Sequence, residues 1–369
     1  FMTKDFSSIS IPLSSDIPLL NIFQDYVQKG WLSSSIRDNL ILFTYTQKCV
    51  FERNWDPITR MARGLILDQN TGAIVARPFQ KFFNLNEVPE TALEKLPLES
   101  PEITEKMDGS LGILYWLNGN PRIATKGSFT SEQASWASHF LEQKGIHLLI
   151  PQGVTLLFEI IYPENRVVVN YGTRQSLVLL GAIEIQSGRE WPYSQLVPLA
   201  KTLSLEVVPS HTISLSTLLE ILKTLPSDRE GFVLRYSSGL RVKFKGDEYL
   251  RIHKLISHLN PKTFWEQMSD GKVSPVFLEG IPEEFRVWAL SVVQELELAY
   301  QEENRRLQQL YQQIPSFPER KDFAAYVIKQ YPLESKALFS LLDQREKNLD
   351  AMIHQRIKPK PAPIRGEEL

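Results

Sequence analysis

The hydrophobic pattern of this 369-residue chain changes period near residue 255, and that change constrains the fold more than any other feature. Before it, short runs rich in Val, Ile, Phe and Tyr alternate with Gly, Pro and Asn, which is the signature of strands and turns. The runs are Leu40 to Tyr45, Gly64 to Asp68, Ala73 to Phe79, Ile103 to Met107, Gly112 to Leu117, Thr155 to Tyr162, Leu177 to Ile185, Gly231 to Tyr236 and Leu240 to Phe244. Helical spacing interrupts them at about Ser131 to Lys144, Tyr193 to Leu203 and Ser216 to Leu225. Such a mixture is α+β with a largely antiparallel sheet, not a regular βαβ alternation. Beyond Leu255 the spacing is helical: Pro282 to Gln313, Asp322 to Gln330 and Ser335 to Ile357. The expectation is an N-terminal α+β domain over residues 2–254 and an all-α C-terminal domain over 255–369. The proline-rich end from about Lys358 cannot be a helix and is read as a loose tail.

Composition only bounds the function. With 43% hydrophobic residues the chain can bury a sizeable core, and 41 basic against 43 acidic residues leave no general excess of positive charge. The C-terminal part, with 15 basic and 17 acidic residues from Leu255 to Leu369, offers no broad electrostatic grip on nucleic acid. One cysteine, Cys49, excludes an internal disulfide framework and suits a reducing, cytoplasmic setting. No run of about 18 apolar residues is present, so no membrane span is expected.

The chemistry-bearing stretch is Glu105-Lys106-Met107-Asp108-Gly109-Ser110. A lysine at a strand end, with an acid and a glycine behind it, can act as a nitrogen nucleophile beside a turn that lets a phosphate approach. Taken alone, the pattern KxDG is weak. Its partners follow in order. Glu159 sits inside the apolar run Thr155 to Tyr162, where an unpaired carboxylate costs several kcal/mol. It is either an outward-facing or salt-bridged strand residue, or a carboxylate aimed into a site. Glu230-Gly231 precedes another strand. In Arg241-Val-Lys243-Phe-Lys245, alternation puts both lysines on one face, where an anion would relieve their repulsion. A solvated edge strand is the plainer reading of that run. Upstream lie Arg60-Met-Ala-Arg63-Gly64 and Lys81-Phe82-Phe83-Asn84; a hairpin at Asn118-Gly119-Asn120 leads to Thr125-Lys126-Gly127-Ser128.

Together these motifs resemble the covalent nucleotidyltransferases, the ATP-dependent ligases and mRNA capping enzymes. The flanking ARG, KFFN and TKGS elements, and PENR after Glu159, narrow the resemblance to the phage-type RNA ligase 1 family over roughly Arg60 to Lys254. The resemblance implies a nucleotidyltransferase domain of ATP-grasp-like antiparallel sheets with helices. It implies joining of RNA 5′-phosphate and 3′-hydroxyl ends in RNA repair on tRNA-like substrates, using ATP and Mg2+ or Mn2+, through a lysyl-AMP intermediate on Lys106. The implied nucleotide-binding set is Arg63, Lys81, Phe83, Glu105, Gly109, Lys126, Glu159, Glu230, Gly231, Lys243 and Lys245. Arg63 and Lys81 look like triphosphate contacts, and the two glycines would keep backbone close to the ligand. Asp108, Glu159 and Glu230 would hold the metal, largely through water. Like charges on Lys243 and Lys245 are expected to favour a neutral Lys106 amine. RNA is the expected partner, a membrane is not, and a monomer is expected.

Three rival readings make different demands. A DNA ligase or capping enzyme would carry an OB-fold barrel after the last lysine motif, and the helical pattern there contradicts one. A tRNA-splicing ligase has a similar adenylyltransferase domain beside kinase and phosphodiesterase modules, yet no GxxxxGK[ST] loop occurs in this sequence. A non-catalytic RNA-binding protein on a ligase fold would tolerate loss of charged residues that are all present. The helical domain either helps choose the RNA or simply packs against the catalytic one, with Trp265, Phe285, Trp288 and Tyr311 read as its core.

Overall fold

Apolar runs and alternating runs take different places in the sheets. The computed structural model describes residues 18–256, 259–279, 281 and 285–359, and the chain divides into two units, Phe1–Ile256 and Ser257–Leu369. In the first unit β1 (Leu32–Arg37), β2 (Leu40–Tyr45), β3 (Arg63–Asp68) and β4 (Ile74–Ala76) form an antiparallel sheet in that order. Its alternation is two-sided. Ile41, Phe43, Leu65 and Leu67 pack with Phe23 of helix Leu19–Gln28. Leu40, Leu42, Ile66 and Ala76 pack with Ile113, Tyr115 and Leu157 of the next sheet.

The later strands are β5 (Phe83–Asn84), β6 (Glu102–Lys106), β7 (Ser110–Leu117), β8 (Asn120–Ala124), β9 (Val154–Ile161), β10 (Ser176–Glu184), β11 (Glu206–Val207), β12 (Ser210–His211), β13 (Gly231–Arg235) and β14 (Arg241–Lys245). A second sheet has the order β11-β10-β9-β7-β8 and a third the order β12-β6-β13-β14-β5. Both are antiparallel except where β11 and β5 join their edges in parallel. Strand β9 is covered on both sides, which explains its continuous apolar run. Leu156, Phe158 and Ile160 face helices Glu132–Lys144 and Tyr193–Leu203, whereas Leu157 faces the first sheet. Glu159 shares the side of Leu157.

The third sheet sets the chemistry. Ile103, Phe232, Leu234, Val242 and Phe244 turn to one side, against Leu218 and Leu222 of helix Leu215–Thr224. Alternation therefore sends Lys106, Val233, Arg241, Lys243 and Lys245 to the other. Register places Lys106 opposite Gly231 and Gly231 opposite Lys245. Gly231 has φ of +147°, and a Cβ there would lie 1.9 Å from the Phe244 carbonyl oxygen. No side chain fits between the two lysine strands at this level.

The second unit is helical: Pro261–Glu266, Pro275–Glu279, Arg286–Gln313, Arg320–Gln330, Ser335–Leu342 and Glu346–Arg356. It departs from the all-α expectation at one place. Met268–Ser269 and Lys272–Val273 pair as a minimal hairpin across Asp270-Gly271, both at positive φ, the backbone such a turn requires. The single helix expected from Ser335 to Ile357 is two, broken where Gln344 adopts φ of +55°. Residues 282–284 of the long helical run and the tail from residue 360 lie outside the described residues. Trp265 and Phe285 are buried, and Trp265 stacks on His354 at 4.3 Å while its indole N–H donates to the His354 carbonyl.

The Gly231 contact predicts a large single-site effect. Gly231→Ala should lower the free energy of unfolding by about 3 kcal/mol or more, because a backbone oxygen cannot yield as a flexible side chain would. Urea unfolding checks this, and an unchanged midpoint would show that the two strands separate at little cost.

Candidate active site

Between the second and third sheets lies a cleft of about 200 Å3. At one end it is lined by Arg63, Lys106, Gly109, Leu111 and Glu159, and at the other by Glu102, Glu190, Tyr193, Arg235 and Arg241. Lys106 ends β6 at the first of these.

The Lys106 amine donates to Glu230 Oε2 at 2.8 Å, and Lys245 Nζ lies 3.1 Å from Glu230 Oε1. Glu230 is 3% exposed, Lys245 10% and Lys106 21%. One buried carboxylate thus holds two lysines that the in-register strands bring together across Gly231. This differs from the expected bare repulsion among the lysines, since Glu230 stands between Lys106 and Lys245. Lys243 is two residues back on the same side and packs over Phe82 at 4.9 Å.

Glu159 approaches from the second sheet. Its Oε1 accepts the Gly109 N–H at 2.9 Å. Desolvation pushes its carboxyl from an ordinary 4.5 up to about 7, against the opposing pull of Lys106. The side chain still meets solvent within the cleft, so the cost of its charge reflects the protein around it rather than complete enclosure. Gly109 is needed because a Cβ there would lie 2.5 Å from the Ile160 carbonyl oxygen. The sequence suggested that Gly109 and Gly231 hold backbone close to a ligand; the close approaches in the structure are to neighbouring strands.

The other residues named from sequence scatter more widely. Arg63 lines the cleft beside Phe82, and its buried Nη1 has no hydrogen-bond partner among the described residues. Lys81 is buried, with its amine 4.1 Å from the Phe83 ring centroid, 5.1 Å from that of Trp55, and donating to the Phe82 carbonyl. Lys126 packs over Tyr45 at 4.6 Å. Neither lysine nor Phe83 lines the cleft. The Glu105 carboxylate is bound by Arg229 at 2.6 Å and by His211 at 3.1 Å. Asp108, expected to hold metal, instead accepts the N–H groups of Val168 and Val169 on one oxygen and the Tyr249 hydroxyl on the other. Three of the about four acceptor sites of its carboxylate are therefore taken by protein.

Sequence reasoning missed the far wall. Glu190 is gripped by Arg241 at 2.5 Å and lies 3.6 Å from Arg235, which pairs with Glu102 at 2.9 Å. Alternation back from Lys106 through Thr104 to Glu102, and from Lys243 to Arg241, carried the signal. Nothing marked Glu190 or Tyr249. Glu159 and Glu230 are hard oxygen donors of the kind that hold hydrated Mg2+ or Mn2+, although among the described residues no group of three or more acids, histidines or cysteines gathers as a metal site.

A family model described as RNA ligase matches residues 61–249. A protein of Thermovibrio ammonificans described as an RNA ligase is 30% identical over 217 residues, covering 55% of this chain and 56% of its own. A protein of Autographa californica nuclear polyhedrosis virus, described as a bifunctional polynucleotide kinase/RNA ligase, is 29% identical over 231 residues, 55% of this chain and 32% of its own. The chain thus spans about half or less of the length of these curated relatives. A solved RNA ligase of Naegleria gruberi aligns at 17% identity over 49% of this chain and 60% of that one, with a TM-score of 0.40. Because the family match runs over just over half of the chain and takes in every residue lining the cleft, the chain belongs to the RNA ligase family.

Proposed function

We propose that the protein joins RNA 5′-phosphate and 3′-hydroxyl ends with ATP, through AMP carried on Lys106, as a repair ligase for tRNA-like breaks. The observation that carries this reading is the Lys106–Glu230–Lys245 bridge beside Glu159, at the end of a cleft that also presents an unpartnered Arg63 nitrogen. It is an amine held by one buried carboxylate, which a second lysine shares, with the charge of Glu159 close enough to feel it; cations beside a nucleophilic amine are what attack on a phosphate needs.

In the first step Lys106 Nζ attacks the α-phosphorus of ATP. A P–N bond forms while the P–O bond to pyrophosphate breaks. The amine must shed a proton to solvent in the cleft to expose its lone pair, and it leaves its 2.8 Å bond to Glu230 as it does so. Lys245 and Lys243 balance charge on the α-phosphate oxygens, and Arg63 reaches toward the leaving pyrophosphate. Glu159 and Glu230 would hold the divalent cation, which supplies further charge neutralisation on the phosphates when bound. AMP then passes to the RNA 5′-phosphate, and the 3′-hydroxyl displaces it to close the phosphodiester. Burial holds the Glu159 carboxyl up at about 7, which weakens its negative charge in the ligand-free site and leaves the lysines and Arg63 to favour an anion. The helical unit is assigned to choice of RNA.

Three outcomes check this reading. With ATP labelled at the α-phosphate and Mg2+, the protein should form a covalent adduct near 42 kDa, GTP should label it far less, and Lys106→Ala should not label; undiminished label on Lys106→Ala refutes the assignment. A chain ending at Ile256 should still take up AMP but change its preference among nicked and broken stem-loop RNAs, read by gel; an unchanged preference removes the specificity role of the helices. The third concerns Glu159 in metal-free protein. Its folded-state pKa is raised, so the carboxyl costs nothing well below pH 4.5, its destabilisation builds as pH rises from about 4.5 to about 7, and the full cost is present above that. Glu159→Gln should therefore stabilise the protein by about 1–3 kcal/mol at pH 8 and hardly at all at pH 4. Equal effects at both pH values would show that burial of the charge is not the cause.

A further inference from the structure

Asp108 ties the nucleophile turn to two distant segments. Its Oδ2 accepts Val168 N–H at 2.8 Å and Val169 N–H at 2.7 Å, and its Oδ1 accepts the Tyr249 hydroxyl at 2.9 Å. Its own N–H donates to the Tyr171 hydroxyl at 2.9 Å. Asp108, Val168, Val169 and Tyr249 are all 5% exposed or less, so water cannot readily replace these bonds.

Tyr249 arrives from the other side of the site. Helix Asp247–Ile256 leaves β14 directly after Lys245-Gly246, and the Gly246 N–H donates to the Glu230 carbonyl at 2.9 Å. Tyr249 packs with Val168 and Val169, and Lys245 lies over its ring at 5.4 Å. One phenol therefore touches the lysine at the end of the third sheet with its ring and the turn behind Lys106 with its hydroxyl. The turn has few other anchors: Gly109 bonds to Glu159, and Ser110 bonds to Asn165.

We propose that Tyr249 is a positioning residue for Lys106, acting through Asp108, and that Asp108 serves this tether rather than the metal. The inference rests on Lys106 being the nucleophile. A tether of this kind fixes the direction of the amine relative to Lys245 and leaves the cleft that receives the nucleotide unchanged. Misplacement of a reacting group by about 1 Å is costly in rate, whereas affinity for ATP resides in the cleft walls.

The test is single-turnover AMP transfer to the full-length protein across a range of ATP and Mg2+ concentrations, with thermal midpoints, for Tyr249→Phe, Asp108→Asn, Asp108→Ala and Lys106→Ala. Asparagine keeps the tether: its oxygen accepts the Val168 and Val169 N–H groups, and its NH2 can donate to the phenol oxygen. The expected results are a rate constant about 10- to 100-fold lower for Tyr249→Phe, with half-saturating ATP within about twofold of wild type. Asp108→Asn should stay within about tenfold of wild type with unchanged Mg2+ dependence, and Asp108→Ala should fall well below both. A wild-type rate constant in Tyr249→Phe, or a change confined to half-saturating ATP, overturns the tether. So does an Asp108→Asn protein as slow as Asp108→Ala, or one whose Mg2+ requirement rises, since either makes the charge of Asp108 the working feature. Should Tyr249→Phe fail to fold, the two Asp108 variants decide between tether and charge. Label on Lys106→Ala would instead remove the nucleophile assignment and the tether with it, whereas an unlabelled Lys106→Ala beside a wild-type-like Tyr249→Phe removes the tether alone.

Discussion

The shared carboxylate of Glu230 is the interaction on which the rest of the site depends. It holds Lys106 at 2.8 Å and Lys245 at 3.1 Å while itself 3% exposed. A buried carboxylate with no partner would cost several kcal/mol, and two ammonium groups this close without an anion would repel. Each charge is tolerable only because the others are there. The backbone makes the arrangement possible, since Gly231 lets the Lys106 and Lys245 strands lie on either side of it with no side chain intervening. Removing one partner leaves an uncompensated buried charge, so stability and chemistry are carried by the same atoms.

Glu159 adds a second layer. Burial pushes its carboxyl up to about 7, so the resting protein pays in stability for a carboxylate that a cation would relieve. That is the usual relation between a binding site and its fold: groups placed to meet a ligand are strained without it. The far wall, with Glu190 between Arg241 and Arg235 and Arg235 on Glu102, is by contrast a network of paired charges, in which the buried Arg235 Nε still lacks a hydrogen-bond partner among the described residues. It joins the loop after β10 to the third sheet, so it bounds the cleft that opens beside Lys106.

Much of this was legible in the sequence, for identifiable reasons. Strands β2, β9, β10, β13 and β14 are long, apolar or cleanly alternating, and local pattern suffices to place them. Alternation also put Lys243 and Lys245 on one side, because a period of two leaves no choice. What was not legible depends on contacts distant in sequence. That Glu230 bridges Lys106 and Lys245 follows from strand register, and register from packing of Phe232 and Phe244 in a core no local pattern displays. Asp108 read as a metal ligand because acids near a nucleophile often are; its occupation by Val168, Val169 and Tyr249 requires a loop and a helix from elsewhere in the chain. The hairpin at Asp270-Gly271 carried a turn signal that the surrounding helical pattern overrode. The break at Gln344 carried none, since glutamine is an ordinary helix former.

The central claim is that Lys106, released from Glu230, is the atom that takes up AMP. Peptide mapping by mass spectrometry of protein incubated with ATP and Mg2+ tests it most directly. The account predicts AMP on the peptide containing Lys106, with fragmentation placing it on that side chain. AMP found on Lys81, Lys126, Lys243 or Lys245 instead, with Lys106 unmodified, would contradict it.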